Sequence, residues 1–500
     1  MSSSSPQAVR KPARGDLLEL ELTEIDERGR TLGRFEEFSV AVRAGVLGAR
    51  ARVRVLKRRR NGIEAVLVEE ERPSPHAARA RCPHVASCGG CSFQELDYRA
   101  QLAAKERLLA RILAPLAPER IEPVLACDVP WKYRNKMDFT FGSARWIEPG
   151  EPAGAANGFA LGLHARGNFQ KVLDVHACEI AFPEAAALVA GVRRLALELD
   201  LPPWDVRTRA GLLRHLVLRK SWANGAILAD LVTSEEARES IEPLAEALLA
   251  RHPELTTLVQ HVNPGVALVA SGRLARVFRG TGVIEERLGG LAFAISATSF
   301  FQTNTPQAEK LVALVRAWAD PRPGETVFDL YSGCGVFALS LAREIGPARV
   351  VGFELVESAV EDARANAARN GLEGVRFVAG DLALTLAPEQ LGLRQMTRPD
   401  VCVVDPPRAG LHARVLDSLR LLEPRRIVYV SCNARSAVQD LSYLAADGWR
   451  LQRVQPIDLF PHTPHLECVF RLERASASAG SDYGSEATLE DSTSSASGPR

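Results

Sequence analysis

A nine-residue stretch, Val327 to Gly335 (VFDLYSGCG), constrains this chain more than any other. A short apolar run contains Asp329, a glycine-spaced turn follows, and an apolar helical pattern, VFALSLARE, comes next. That is the order strand, tight loop, helix. Glycines at 333 and 335 let the backbone approach a ligand closely and open the helix cleanly. A second strand pattern, RVVGFE, ends in Glu354, 25 positions after Asp329. This is near the spacing at which a dinucleotide-type α/β unit holds a ribose diol. A Gly-x-Gly turn alone also occurs in α/β units with no such ligand. The acid that closes the second strand is what favours a nucleotide-like one.

The pattern continues over residues 286–470, as TVFDL, RVVGFE, VRFVA, VCVVD and IVYVS, with an edge pair in LQRVQPID and LECVFRL. Seven strands with interleaved helices describe a doubly wound, Rossmann-like sheet. Asp329, Glu354, Asp381, Asp405 and Cys432 are expected at or just beyond strand carboxyl ends, where such a sheet binds its ligands.

Five hundred residues exceed one core, so two or three domains are expected. Residues 15–72 alternate in short runs (LLELELTEI, FSVAVRAG, ARVRVLKR, IEAVLVEE), the pattern of a small β-barrel. The basic run Lys57 to Arg60 is expected in a turn, and a barrel with a basic rim is a common oligonucleotide binder. With 62 basic against 61 acidic residues, any nucleic-acid surface must be a local patch. Residues 73–285 read as an α+β domain, with Arg207, Arg209, Arg214, Arg219 and Lys220 as a local basic supply. Arg134, Asn135 and Lys136, beside aromatic residues, offer an edge for stacking bases and holding phosphates. Residues 1–14 and 471–500 are expected to be disordered, the latter for want of apolar content. No apolar run reaches membrane-spanning length, and the start, MSSSSPQAVRKPARG, lacks the apolar core of a secretory leader. A cytoplasmic protein without a membrane partner is expected. A short basic, Ser-rich start is also compatible with an organellar leader.

Three of the nine cysteines cluster in RCPHVASCGGCS: Cys82, Cys88 and Cys91. In a reducing compartment that reads as metal binding or catalysis. Cys178, Cys127 and His84 are candidates for a fourth ligand. An all-thiolate site holds either zinc or an iron–sulfur cluster; a compact trio with one remote cysteine suits the cluster better. Elsewhere, DPPRAG stiffens the backbone just after Asp405, and YVSCN places Cys432 in the loop beyond the next strand. Buried free cysteine is the commoner fate of such a thiol, but Ser431 and Asn433 flank it with polar groups. In DLFPHTPHLE, His462 and His465 lack a third clustered ligand, so no metal is expected there.

Together CPHVASCGGC, YRNK, SFFQTN, FDLYSGCG, DPPRAG, SCN and DLFPHTPHLE, in that order over residues 15–470, resemble the RNA uracil-C5 methyltransferase family. The likeness is greatest to the branch with an N-terminal TRAM barrel and a [4Fe–4S] cluster. That resemblance implies cluster ligands Cys82, Cys88, Cys91 and Cys178. It implies S-adenosylmethionine as cofactor, met by Gln302, Tyr331, Glu354, Asp381 and Asp405. It implies Cys432 as nucleophile and Glu467 as base. It favours 23S rRNA as substrate, with tRNA the alternative, and a monomeric enzyme. The chemistry agrees, because uracil C5 is a poor nucleophile until a thiolate adds at C6, and a base must then remove the C5 proton. N- or O-methyl transfer would leave Cys432 inert. A cluster-bearing RNA-binding protein with an inactive scaffold is the alternative of another class.

Overall fold

The computed structural model describes residues 12–60 and 62–474. The expectations of disorder for the two ends fall largely outside these residues. Arg471 to Arg474, however, belong to the last strand, so the folded part runs past 470.

Strands β1 (Leu17–Ile25), β2 (Thr31–Phe35), β3 (Phe38–Arg43), β4 (Arg50–Arg59) and β5 (Gly62–Arg72) close into a barrel in the order β1-β2-β3-β5-β4. Alternate residues of β1 and β4, such as Leu18, Leu20, Val53 and Val55, fill its interior, as the period-two pattern requires. Lys57 to Arg59 do not form a turn; they extend β4, and Arg59 pairs with Glu64 at 2.6 Å. The basic rim is thus partly neutralised by its own sheet.

Helix α1 (Tyr98–Leu113) follows, N-capped by Asp97, whose carboxylate accepts from Ala100 N. A two-residue strand, β6 (Arg120–Ile121), then joins the catalytic sheet described below.

The central sheet takes β7 (Lys136–Gly142), β8 (Arg145–Trp146), β9 (Ala160–Ala165), β10 (Asn168–Asp174), β11 (Leu213–Lys220), β12 (Ile227–Thr233), β13 (Leu255–Val262) and β14 (Arg273–Arg279). Their order is β14-β13-β12-β11-β7-β9-β10-β8. Helices α2 (Ala185–Glu198) and α3 (Arg238–Arg251) bury one face of it through Leu188, Val192, Leu244 and Leu248. A hairpin, β15 (Val283–Leu288) and β16 (Leu291–Ser296), leads into α4 (Thr305–Ala319).

The C-terminal sheet has strands β17 (Val327–Leu330), β18 (Val350–Glu354), β19 (Arg376–Ala379), β20 (Val401–Val404), β21 (Arg426–Ser431), β22 (Trp449–Ile457) and β23 (Glu467–Arg474). Helices α5 (Val336–Ile345), α6 (Glu357–Arg369), α7 (Leu382–Thr385), α8 (Pro388–Leu393), α9 (Ala413–Leu422) and α10 (Ala434–Ala445) interleave with them. The strand order is β19-β18-β17-β20-β21-β23-β22-β6. The five strands from β19 to β21 run parallel, and β23 enters antiparallel between β21 and β22. The order reverses at β17, the switch point at which an open α/β sheet takes its ligand. The seven expected strands are present, and β6 adds an eighth. Among the described residues, no helix is long and apolar enough to cross a membrane.

Candidate active site

The loop after β17 is shaped by its acids. Gly333 N donates to Glu354 Oε2 at 3.0 Å, and Val356 N donates to Oε1 at 2.9 Å. Glu354 thereby stands at the carboxyl end of β18, against the glycine turn. Gly335 begins α5 at φ +89°, and a Cβ there would lie 3.1 Å from Phe377, so only glycine fits comfortably. Asp329 differs from expectation. It lies inside β17, fully buried, and its Oδ2 accepts from Ala338 N at 2.8 Å. Burial drives its pKa well up, and the hydrogen bond it accepts from Ala338 N braces the loop. Asp329 Oδ1 and Ser332 Oγ are buried with no partner among the described residues. Buried polar atoms are normally satisfied, and two orphans beside a glycine turn fit a polar ligand seated there.

Tyr331 follows β17 at φ +65°, half-buried, its phenol pushed up to about 12 by burial. Asp381 caps the short helix α7 by accepting from Ala383 N at 2.9 Å. Gln302 precedes α4, and its carbonyl accepts from Asn135 Nδ2 at 3.1 Å. Asn135 is buried, which removes it from the surface role read from the YRNK stretch, and Tyr133 is buried as well. Asn135 instead holds the Gln302 segment, donating also to Thr305 Oγ1 and, from its backbone, to Thr303 O.

Asp405 follows β20, and burial raises it to about 7. Cys432 follows β21, half-buried, and Glu467 opens β23 at 4% exposure. Burial, with the nearby Asp405 charge, keeps Glu467 well above the usual carboxylate range. Burial and then the Glu467 charge push the Cys432 thiol up to about 11, opposed by Arg408. Arg408, in DPPRAG, was not singled out from the sequence, although it lies in a motif that was. Its guanidinium meets His465 Nδ1 at 3.2 Å, and its carbonyl accepts from Asn433 Nδ2 at 2.8 Å. A cavity of about 200 Å³ opens beside Cys432, walled by Arg408, Asn433, Arg435, His465 and, from the barrel, Glu27. Glu27 and Arg435 form an ion pair across that wall.

The four cysteines expected at a metal centre line one other cavity, with His84 and Ile180. Burial pushes the Cys88 thiol up to about 11 and Cys91 to about 12. Among the described residues, no three His, Cys, Asp or Glu side chains converge tightly enough to hold a single ion. Cys127 is elsewhere, 3.6 Å from Asn304 Nδ2, and His84 Nδ1 meets Glu148 at 2.8 Å.

A switch-point site with a carboxylate closing the second strand defines a nucleotide-binding type of α/β fold, here preceded by a closed five-stranded barrel, and its solved likeness is to an S-adenosylmethionine-type methyltransferase. A family described as tRNA (uracil-5-)-methyltransferase matches residues 244–475. An uncharacterized RNA methyltransferase of Chlorobaculum tepidum is 38% identical, over 92% of this chain and 97% of its own. Another, of Porphyromonas gingivalis, is 36% identical over 91% and 99%. Among solved structures, the Pyrococcus abyssi tRNA (uracil-54, C5)-methyltransferase in complex with S-adenosyl-L-homocysteine superposes with TM-score 0.71 and 26% identity. It covers 91% of this chain and all of its own. The chain belongs to the S-adenosylmethionine-dependent RNA uracil-5 methyltransferase family.

Proposed function

We propose that this chain methylates C5 of a uridine through a covalent adduct on Cys432, and that Glu467 removes the C5 proton. The observation that carries this is the pairing of β21 with β23, which brings the thiol and the buried carboxylate to one place beside Asp405. The Cys432 thiolate adds to C6, and the electron pair of the C5=C6 bond moves toward C5 and O4. C5 then takes the methyl group. Glu467 accepts the C5 proton, the C–H pair reforms C5=C6, and the C6–S bond breaks to return the thiolate. S-adenosylmethionine supplies the electrophilic methyl group when bound. Gln302, Tyr331, Glu354, Asp381 and Asp405 are proposed to hold it, Glu354 at the ribose hydroxyls.

For the substrate, transfer RNA is the reading we favour. The matching family and the P. abyssi enzyme both carry tRNA in their descriptions, which favours it over the 23S rRNA expected from sequence. The decisive experiment supplies labelled S-adenosylmethionine with tRNA and with 23S rRNA transcripts and maps the product by mass. 5-Methyluridine in tRNA supports the reading. 5-Methyluridine in rRNA alone overturns the choice of substrate, and label on a base nitrogen or ribose oxygen overturns the chemistry.

Cys82, Cys88, Cys91 and Cys178 are proposed to hold a [4Fe–4S] cluster, as in the barrel-bearing branch of the family. The support is chemical: four thiols line one cavity, with His84 and Glu179 also in its wall, and thiolates are the usual ligands of such a cluster. A cluster there would tie the segment after the barrel to the central sheet and takes no part in methyl transfer. The domain limits 15–72 and 73–285 are a proposal of the same kind, and the third, 286–470, is extended to 474 by β23.

A further inference from the structure

Glu467 is delivered by a nine-residue loop, 458–466, with no regular structure of its own. Its conformation is not relaxed: His462 has φ +66°, which a non-glycine residue adopts only when its surroundings enforce it. One face of α1 supplies the enforcement. Tyr98, Gln101 and Lys105 are spaced three and four apart, so they stack on that face. Lys105 and Asp458 are both 0% exposed and pair at 2.7 Å. The lysine's other two contacts are the carbonyls of Phe460 and His465, each at 3.2 Å. An ammonium has three protons, and all three acceptors lie on this one loop, at its start, near its middle and two residues before Glu467. Tyr98 OH donates to the remaining Asp458 oxygen at 2.8 Å, and His462 N donates to Gln101 Oε1 at 3.1 Å.

A second anchor comes from the cysteine segment. Ser92 N and Phe93 N donate to His462 O at 2.7 and 3.1 Å, directly after Cys91. Tyr133 OH donates to Pro461 O at 3.1 Å, while its ring packs on Cys91, Cys178 and Ile180.

We propose that Lys105 is a positioning residue for proton removal, with Tyr133 as a weaker second, fixing where Glu467 stands through loop 458–466. The inference rests on the roles given above to Cys432 and Glu467. Lys105 borders the cavity beside Cys432, but its ammonium is fully buried and its three protons all go to loop 458–466, so it acts through that loop. A buried ion pair adds little net stability over apolar side chains of like volume, and here the lysine's three hydrogen bonds to one loop set that loop's path. Displacing Glu467 removes the acceptor of the C5 proton, and since its charge holds the Cys432 thiol up, the displacement does not hinder the earlier thiolate addition; the enzyme stalls as a methylated RNA adduct on Cys432.

The test compares wild type, Glu467→Gln, Lys105→Met and Tyr133→Phe, read by turnover and by labelled protein–RNA adduct on a denaturing gel. Lys105→Met leaves Asp458 unpaired and can fail to fold, so Lys105→Met with Asp458→Leu is made beside it. The expected result for the folded lysine variant is KM for both substrates within about twofold of wild type and kcat lower by about tenfold or more. Labelled adduct should accumulate as it does in Glu467→Gln, with Tyr133→Phe showing the same pattern more weakly. Unchanged kcat, or a lower kcat without adduct while Glu467→Gln does accumulate one, overturns the positioning role. No adduct in Glu467→Gln itself overturns the assignment of the base, and this inference with it.

Discussion

Cys432 lies across the sheet from Glu467. Ser431 and Cys468 are the last register pair of the antiparallel β21–β23 ladder, and one further step sets 432 opposite 467. Side chains alternate along β23: Cys468 joins Phe470 and Leu472 in one core cluster, and Val469 lies in the cluster on the other face. The carboxylate and the neighbouring thiol of Cys468 therefore point to opposite faces. Burial holds Cys468 far above the usual thiol range, which suits a packing role.

From this ladder, Glu467→Gln should slow turnover by roughly 10²–10⁴-fold and retain methylated RNA on the protein. Cys432→Ala should give neither adduct nor product, and Cys468→Ala should keep both. Gel retardation of labelled protein–RNA complexes distinguishes them. An adduct that survives loss of Cys432 and vanishes with Cys468 would reverse the assignment.

Glu354→Ala should weaken S-adenosylmethionine binding by about 1–3 kcal/mol, the scale for a charged hydrogen-bonding group. Glu354 also anchors Gly333 N, so part of that loss will be the loop's. Calorimetry checks it; equal affinity would remove Glu354 from the cofactor site.

Anaerobically purified protein should carry about four iron and four sulfide per chain. Cys178→Ala should release the iron and expose residues 82–93 to protease. Stoichiometric zinc without iron would contradict the cluster.

The thiol of Cys432, raised to about 11, should be mostly protonated near neutrality. Its thiolate fraction then grows about tenfold per pH unit, so alkylation at this residue should still be rising at about pH 10. A plateau near the ordinary thiol value of about 8.5 would contradict this. Asp405 and Glu467 are raised in the folded protein, so their charged forms appear only as pH rises. Decay of an adduct followed by rapid quench should therefore accelerate with rising pH above the usual carboxylate range, where Glu467 gains its charge.

The barrel's β1–β2 turn is close-packed against the catalytic region. Gly29 has φ +71°, and a Cβ there would fall 2.6 Å from Ser92 Oγ and 3.3 Å from Pro464 Cδ. Gly29→Val should cost about 1–3 kcal/mol through strain and displacement. Differential scanning calorimetry would show a lowered Tm, and an unchanged one would mean that the turn moves freely.

The sheet was legible in sequence because its strands are continuous apolar runs that end in acids, as at Glu354 and Asp405. The barrel was legible from alternation. What escaped was decided by long-range contact. β6 is two exposed residues, too short for any pattern, and exists because Val454 and its neighbours offer an open edge. Asn135 reads as a surface group, yet it serves the Gln302 backbone, 167 positions away, and Tyr133, to which no role is assigned from sequence, serves the Pro461 backbone, 328 positions away. The basic run Lys57 to Arg60 reads as a turn, but the strand continues through Arg59 and only Arg60 lies in the turn. Lys105 carried no signal at all, since a lysine in an amphipathic helix is ordinarily a solvated one.

That short β6 pairing makes synthesis order matter. Residues 120–121 leave the ribosome more than three hundred positions before Arg453 and Val454, their partners. Until β22 is made, α1 and the segment after it have no sheet edge to join, and β21, still without β23, is an open edge of the parallel sheet. Unpaired edges of this kind invite association between chains. A ribosome stalled before residue 453 would therefore carry a barrel whose strands are all made and a catalytic sheet that still lacks its last two strands.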